Sequence, residues 1–489
     1  MKKINGFIIL FLLIGSVLAT GCIGGESTST PSTTSSETEP TTTSTQSSTQ
    51  TTSSTSSPTP TGPITLVVLT RHDVTIQTIA KKAFLQSDIA KQYNIKDIRF
   101  IPIPESLWPS YIEKGADVGW GGGPTLFDSL FRNNYLVPIE DQKVLGLIGN
   151  QIQETIAGMP MIRKGDDGKI YWIAAALSSF GFTVNHDVLK RWNLPVPQRW
   201  EDLASETFAM DPPQVGIADP TRSTSNTRIY QIILQAFGWD EGWKILTLIA
   251  ANSKIYDASD AVREAVIGGD IGVGNTIDFY GYIAMKSNPS CEYIIPKGQS
   301  IINGDPIAVL VKSQHKEAAQ AFIYWVLTEG QRIWLDEQIN RLPVNPDVFN
   351  TPEGQNRPDL KKAYESALKT QGIDFDDNEA LVTANAMQFY FKATLVDANQ
   401  ELHRAWTALV KAYKEGKISE SKYNELKAKL LEPVRFKDPD TGNTVTLTIE
   451  YAKKINDKLE DPAFRDTLMQ IWRDAARQKY QSVLAEVQG

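Results

Sequence analysis

Apolar runs of strand length alternate along this chain with segments of helical period. Residues 64–69 are apolar except for Thr65 and are followed at once by polar Thr70-Arg71-His72-Asp73, which predicts a buried strand ending in a turn. Residues 74–93 place Val74, Ile76, Ile79, Ala80, Ala83 and Phe84 at helical spacing. Strands are predicted over 98–103 and 117–120, with a helix over 108–114 between them; the second strand runs into Gly121-Gly122-Gly123-Pro124 and a helix from Thr125. Residues 170–176 predict a strand that ends at Leu177-Ser178-Ser179-Phe180-Gly181 and is continued by 182–185. Residues 215–218 predict another, leading through Asp219-Pro220-Thr221-Arg222-Ser223-Thr224-Ser225-Asn226 into a helix that carries Tyr230, Ile233, Leu234 and Phe237. A helix over 261–267, a strand over 270–273 that ends in 274–280, a strand over 306–311 and an apolar helix over 316–327 follow. Strands alternating with helices predict an α/β fold with a largely parallel sheet. Such sheets bind ligands at the carboxyl ends of their strands, where Arg71-His72 and the 121–125 loop fall.

The two ends of the chain differ from this middle. From 379 to 430 the period is helical, with Trp406, Leu409, Val410 and Tyr413 on one face. Asp438-Pro439-Asp440-Thr441-Gly442 predicts a turn between 434–436 and the alternating Val445, Leu447 and Ile449, hence a hairpin, before a closing helix over about 450–486. At the start, Lys2 and Lys3 precede an apolar run over 7–17 that is shorter than the ~20 residues of a membrane span, the pattern of a secretory signal. Ala19-Thr20-Gly21-Cys22 resembles a lipoprotein cleavage box, with Leu18 four places before the cysteine where three is usual, so Cys22 is the expected lipid attachment point. Residues 26–61 hold 27 Ser or Thr in 36 positions and no Lys, Arg or large apolar side chain. With no apolar surface to offset chain entropy this segment reads as an extended stalk, about 33 Å as a plain coil. The resulting division is a signal over 1–21, an anchor and stalk over 22–62, and a folded part of 427 residues from Pro63, long enough for two or three domains.

Composition excludes some classes of function. Hydrophobic content is 41%, ordinary for a globular protein, and the net charge of −8 argues against nucleic acid as partner. Cys291 has no second cysteine in the folded part, which leaves no disulfide framework and suggests a small buried apolar residue. Only His72, His186, His315 and His403 are present, with neither a His-Glu-x-x-His zinc motif nor a Gly-x-Ser-x-Gly nucleophile elbow.

Four groups of segments recur in one order along residues 64–335: Asp117-Val118-Gly119-Trp120-Gly121-Gly122 with Tyr135-Leu136-Val137-Pro138; Gly181-Phe182-Thr183-Val184-Asn185 with Leu194-Pro195-Val196-Pro197-Gln198-Arg199-Trp200-Glu201-Asp202-Leu203; Ala218-Asp219-Pro220 with Ser223 and Ser225; and His315-Lys316-Glu317-Ala318-Ala319 with Phe322 and Leu327. Through them the chain resembles the extracellular solute-binding proteins of ABC importers, most of all the branch named for ferric-ion binding, which includes binders of small phosphorylated or carboxylated anions. The resemblance implies a two-lobed, periplasmic-binding-protein-like α/β fold with a hinge and an interlobe cleft. Lobe 1 is then about 64–165 with 285–350 and lobe 2 about 166–284, with 351–489 a mainly helical extension outside the likeness. It also implies closure of the lobes over a ligand.

Candidate ligand contacts follow. Gly122, Gly123 and Thr125 offer backbone N–H groups at a helix start, although no Gly-Lys-Ser/Thr makes this a P-loop. Ser178 and Ser179 end a predicted strand. Ser223, Thr224 and Ser225 open a helix, where hydroxyls either cap the helix or hold an anion, and Arg222 adds a bidentate clamp. Arg71, His72, Thr276, Asp278 and Tyr280 complete the set. Were the ligand ferric ion, the resemblance points to His72, Asp278, Tyr280 and Tyr282 as its oxygen and nitrogen donors. This chain departs from the iron-binding pattern in two places: Asp73 follows Arg71-His72 where some relatives have tyrosine, and Gly281 separates two tyrosines that are adjacent in others. The expected function is the substrate-binding component of an ABC transporter, lipid-anchored at the extracellular face of the membrane, which hands a small anion or ferric ion to a permease. It is expected to be no enzyme and to need no resident cofactor. The rivals are a surface-anchored enzyme acting on a small anionic substrate and an adhesion protein.

Overall fold

The computed structural model describes residues 62–489; the signal, Cys22 and the stalk lie outside the described residues. One twelve-stranded sheet organises the folded part. Its main strands are β1 (Ile64–Thr70), β2 (Ile95–Pro102), β3 (Val118–Trp120), β4 (Ile170–Asn185), β5 (Val215–Ala218), β6 (Ser253–Tyr256), β7 (Val273–Ile277), β8 (Cys291–Ile294) and β9 (Ile302–Leu310). They run in the order β6-β5-β7-β4-β9-β3-β1-β2, with β8 also paired to β4.

β1 lies between β2 and β3, parallel to both, with Leu66, Val68 and Leu69 fully buried. At the other end β5 pairs in parallel with β6 and β7. The two groups meet at β4 and β9. The sequence predicts that β4 breaks at Ser178-Ser179, yet it is one unbroken strand of 16 residues. Neighbours on both sides keep it extended: β9 pairs with residues 173–179 and β7 with 180–184, so both serines are buried in the ladder and do not cap a turn. β8 pairs with Phe182–Asn185 of β4 in the second group, so only the segment after Ile294 leads back, and β9 begins opposite Ser179. The pairing of β9 shifts register at Asp305/Pro306, where proline has no N–H to give the ladder.

Helices cover the sheet where the apolar period predicts them. α1 (Val74–Gln86) starts on the carboxylate of Asp73, which accepts from the N–H groups of Thr75 and Ile76. α2 (Pro124–Arg132) follows the glycine loop, α3 (Thr224–Phe237) starts on Ser223, and α4 (Ser259–Gly268) precedes β7; α5 (Asp278–Ser287) follows β7 directly, where the sequence predicts no helix. The extension is helical: α6 (Asp377–Phe391), α7 (Asn399–Lys414), α8 (Glu420–Leu431) and α9 (Pro462–Gln488), with the expected hairpin reduced to Phe436–Lys437 against Thr444–Val445. Ile449 opens a helix instead of continuing the hairpin. The extension shares the core of the α/β part. Phe391 stacks on Tyr230 of α3 with centroids 4.2 Å apart, and Trp406 donates from Nε1 to Asn252 at 2.9 Å. Cys291 is buried and free, and burial, aided by Asp187, pushes its thiol up to about 11. Among the described residues no helix is long and apolar enough to cross a membrane.

Candidate functional site

A cavity of about 280 Å³ opens where β1, α2, α3, α5 and β9 converge. That is slightly smaller than the ~300–1,000 Å³ of drug-sized pockets, a fit for a small solute. Its floor is a polar knot built on Asp305. The register shift in β9 turns this carboxylate toward the glycine loop, where Oδ1 accepts from Gly122 N and Gly123 N, both at 3.0 Å. Oδ2 pairs with Arg341 Nη2 at 2.7 Å and lies 3.9 Å from His72 Nε2. Burial raises the Asp305 carboxyl, but Arg341, His72 and the Gly123 N–H outweigh it and hold it below the usual range. The two glycine N–H groups expected to face an external anion are therefore given to an internal one. The loop needs glycine: Gly121, Gly122 and Gly123 have φ of 76°, 123° and 84°, and a Cβ at 121 would lie 2.5 Å from the His72 ring.

His72 follows β1 into this knot. Its ring meets Trp120 and Trp334 edge-on at 4.7 and 5.6 Å. Burial lowers its pKa to about 4, with Arg341 helping and Asp305 and Asp73 opposing, so the imidazole is neutral at pH 7. Arg341 donates a second bond to Ser178 Oγ at 2.9 Å and lies over the Phe279 and Trp334 rings.

The opposite wall is the start of α3. Ser223 Oγ accepts from Asn226 N, and Ser259 Oγ lies 2.6 and 2.5 Å from the hydroxyls of Ser223 and Ser225. Arg222 extends outward to Asp257 at 3.2 Å. Arg71 crosses between the walls, donating to the carbonyls of Ile103 at 3.3 Å and Arg222 at 3.5 Å. Its Nε is buried with no hydrogen-bond partner. Glu105 and Asp260 also face the cavity; burial raises the Glu105 carboxyl, with Arg71 opposing.

Of the residues singled out from sequence, Arg71, His72, Gly122, Gly123, Thr125, Ser178, Arg222, Ser223, Thr224, Ser225 and Tyr280 line this one cavity. Ser179, Thr276 and Asp278 do not. Successive residues of a strand face opposite ways, so Ser178 reaches the cavity while Ser179 turns to Asp278, giving it both N–H and hydroxyl at 2.8 and 3.2 Å. β7 runs four residues further than predicted, which leaves Thr276 inside the sheet with its hydroxyl 2.7 Å from that of Thr183. Asp278 opens α5 and is fully buried; burial raises its carboxyl to about 7 against the pull of Ser179 and Arg341.

The ferric set is consequently not brought together. His72 and Tyr280 line the cavity, Asp278 is enclosed by Ser179 and the Phe279 N–H, and Tyr282 packs against the Tyr293 ring at 5.7 Å. Burial raises the hydroxyls of Tyr280 and Tyr282 above their ordinary value, the opposite of what a tyrosinate donor needs. Among the described residues no group of three or more His, Cys, Asp or Glu side chains is placed to hold a metal ion.

The residues that sequence reading missed include Asp305, Arg341, Arg228, Asn303 and Gln388, together with Glu105, Ser259 and Asp260. The available signal was an isolated charge: Asp305 interrupts β9 and Arg228 is the one charged residue of α3.

Comparisons with known proteins bear on the fold and the family. The chain is 29% identical over 251 residues to the phosphoglycerate transport regulatory protein PgtC of Salmonella typhimurium, a match covering 48% of this chain and 58% of that protein. The chain thus spans little more than half the length of this curated relative. Among solved structures the periplasmic binding protein P5PA matches with a TM-score of 0.54 at 16% identity, over 68% of this chain and 99% of that one. AfuA from Actinobacillus pleuropneumoniae, solved with fructose-6-phosphate, matches with a TM-score of 0.50 at 16% identity, over 62% and 98%. These likenesses show the periplasmic-binding-protein-like fold. A family model described as bacterial extracellular solute-binding protein matches residues 41–362, about two thirds of the chain, and the protein belongs to that family.

Proposed function

We propose that this protein captures a small phosphorylated or carboxylated solute outside the cell and delivers it to the permease of an ABC importer. The observation that carries the anion is Arg71. It lines the cavity, forms no ion pair among the described residues, and keeps a buried Nε without a partner. Arg341 is already matched to Asp305. Thr224, the first residue of α3, adds a hydroxyl and the positive end of a 14-residue helix beside Arg71. Glu105 and Asp260 on the same lining accept hydrogen bonds, which favours an anion that also carries hydroxyl groups. Fructose-6-phosphate, the compound named for the AfuA structure, supports the same class. Binding free energy drives closure of the lobes, and no covalent step on the solute is involved. Cys22 carries the lipid that keeps the receptor beside its permease, and Cys22→Ala releases it from the membrane.

The test is calorimetric titration of the full-length protein with glycerol 3-phosphate and with orthophosphate, repeated for Arg71→Met. A charge-assisted hydrogen bond contributes about 1.5–3 kcal/mol, so the variant binds roughly 10–150-fold more weakly while keeping its fold. Unchanged affinity contradicts the reading.

A further inference from the structure

Arg228 of α3 lies at the cavity, yet its charge is taken up from outside the α/β part. Nη2 donates to Asp377 Oδ1 at 2.6 Å and to Asn303 Oδ1 at 2.9 Å, and Nη1 reaches Thr125 Oγ1 at 3.4 Å. The Phe375 ring lies 4.1 Å from the guanidinium carbon. Both side chains of the ion pair are buried, 5% exposed for Arg228 and 12% for Asp377, so solvent screens it little. Asp377 and Phe375 belong to the extension, Asn303 to the return strand β9, and Thr125 to α2.

The start of α6 is held in this place from several sides. Asp376 exchanges backbone hydrogen bonds with the Gln235 side chain at 2.7 and 2.9 Å, Arg132 of α2 donates to Asn378, and Gln231 donates to the Ala380 carbonyl at 3.2 Å. Three turns along the same helix, Gln388 lines the cavity. The extension is thus a third wall of the site.

We infer that Asp377 is a specificity-determining residue: it occupies Arg228 as a built-in anion, so the site accepts a solute with one anionic group and discriminates against one with two. This inference rests on the anion reading above. A first anionic group meets Arg71 and the start of α3. A second group, seeking Arg228, meets a guanidinium already neutralised and a carboxylate that repels it. A hydroxyl in the same position meets no such opposition. A purely bracing ion pair would instead change stability and weaken all ligands alike.

Glycerol 3-phosphate and 3-phosphoglycerate differ in that a hydroxymethyl group replaces a carboxylate, and they make the test. Affinities are measured by calorimetry for the full-length wild type, Asp377→Asn and Asp377→Glu. The wild type is expected to favour glycerol 3-phosphate by at least 10-fold. Asp377→Asn is expected to shift the ratio toward 3-phosphoglycerate by at least 10-fold, about 1.4 kcal/mol, and Asp377→Glu to retain the wild-type preference. A wild type that binds neither compound overturns the anion reading and this inference with it. A wild type that binds glycerol 3-phosphate while Asp377→Asn leaves the ratio within 3-fold overturns the inference alone. Should Asp377→Asn fail to fold, Asn303→Asp gives the decisive reading: a second carboxylate on the same Nη2 must worsen the ratio against 3-phosphoglycerate at least 3-fold, and an unchanged ratio overturns the inference.

Discussion

Arg341→Met tests how the floor of the cavity is held. The side chain it removes is 4% exposed and pairs with Asp305, 9% exposed, at 2.7 Å, while also donating to Ser178 at 2.9 Å. Methionine keeps most of the volume over Phe279 and Trp334, so the change reads electrostatics more than a void. Asp305 would keep the two N–H donors of Gly122 and Gly123 but lose its counter-charge, and Ser178 its donor. Breaking a buried pair by removing one partner costs about 3–5 kcal/mol, and the two glycine donors place this case toward the lower end. Urea unfolding at pH 7, followed by circular dichroism, measures it. Adding Asp305→Asn removes the stranded charge, so the double variant should be more stable than the sum of the single losses predicts, by about 1–3 kcal/mol. A loss below about 1 kcal/mol for Arg341→Met, or strict additivity in the double variant, would refute the reading that this pair holds the glycine loop.

Two further outcomes follow from the same structure. His72 has its pKa lowered to about 4 in the fold against about 6.5 unfolded. The unfolded chain therefore binds more protons between these values, and the contribution of about 3 kcal/mol present above pH 6.5 is lost as pH falls toward 4; His72→Asn should flatten that part of the pH–stability curve, and a retained slope would assign it elsewhere. Phe391→Ala removes the ring stacked on Tyr230, and a cost of about 3–5 kcal/mol in a single cooperative transition is expected if the extension shares the core, whereas a separate early transition would make it an independent domain.

Much of the fold was legible because strand and helix periods differ. Val215–Ala218 and Lys316–Leu327 have the predicted bounds, and Arg71, Ser223 and Thr224 were placed by the rule that ligands sit beyond strand ends and at helix starts. What was hidden depends on register. A strand end misplaced by four residues put Thr276 and Asp278 in a loop, and the two faces of β4 could not be told apart when every residue of 172–185 is buried. The partners of Asp305 come from Gly122, His72 and Arg341, and no local pattern announces a contact made across so much chain. The role of 375–388 was equally silent, because a helix start with Asp376 and Asp377 reads as ordinary capping until Arg228 is found beside it.

The central claim is that this cavity takes a small oxyanion. The direct measurement is titration of the full-length wild type with glycerol 3-phosphate by calorimetry and, in parallel, with ferric citrate by visible absorption. The account predicts saturable binding of glycerol 3-phosphate at one per chain and no tyrosinate-to-iron band. A saturable band at one iron per chain that is lost in Tyr280→Phe, with no heat from glycerol 3-phosphate, would contradict it.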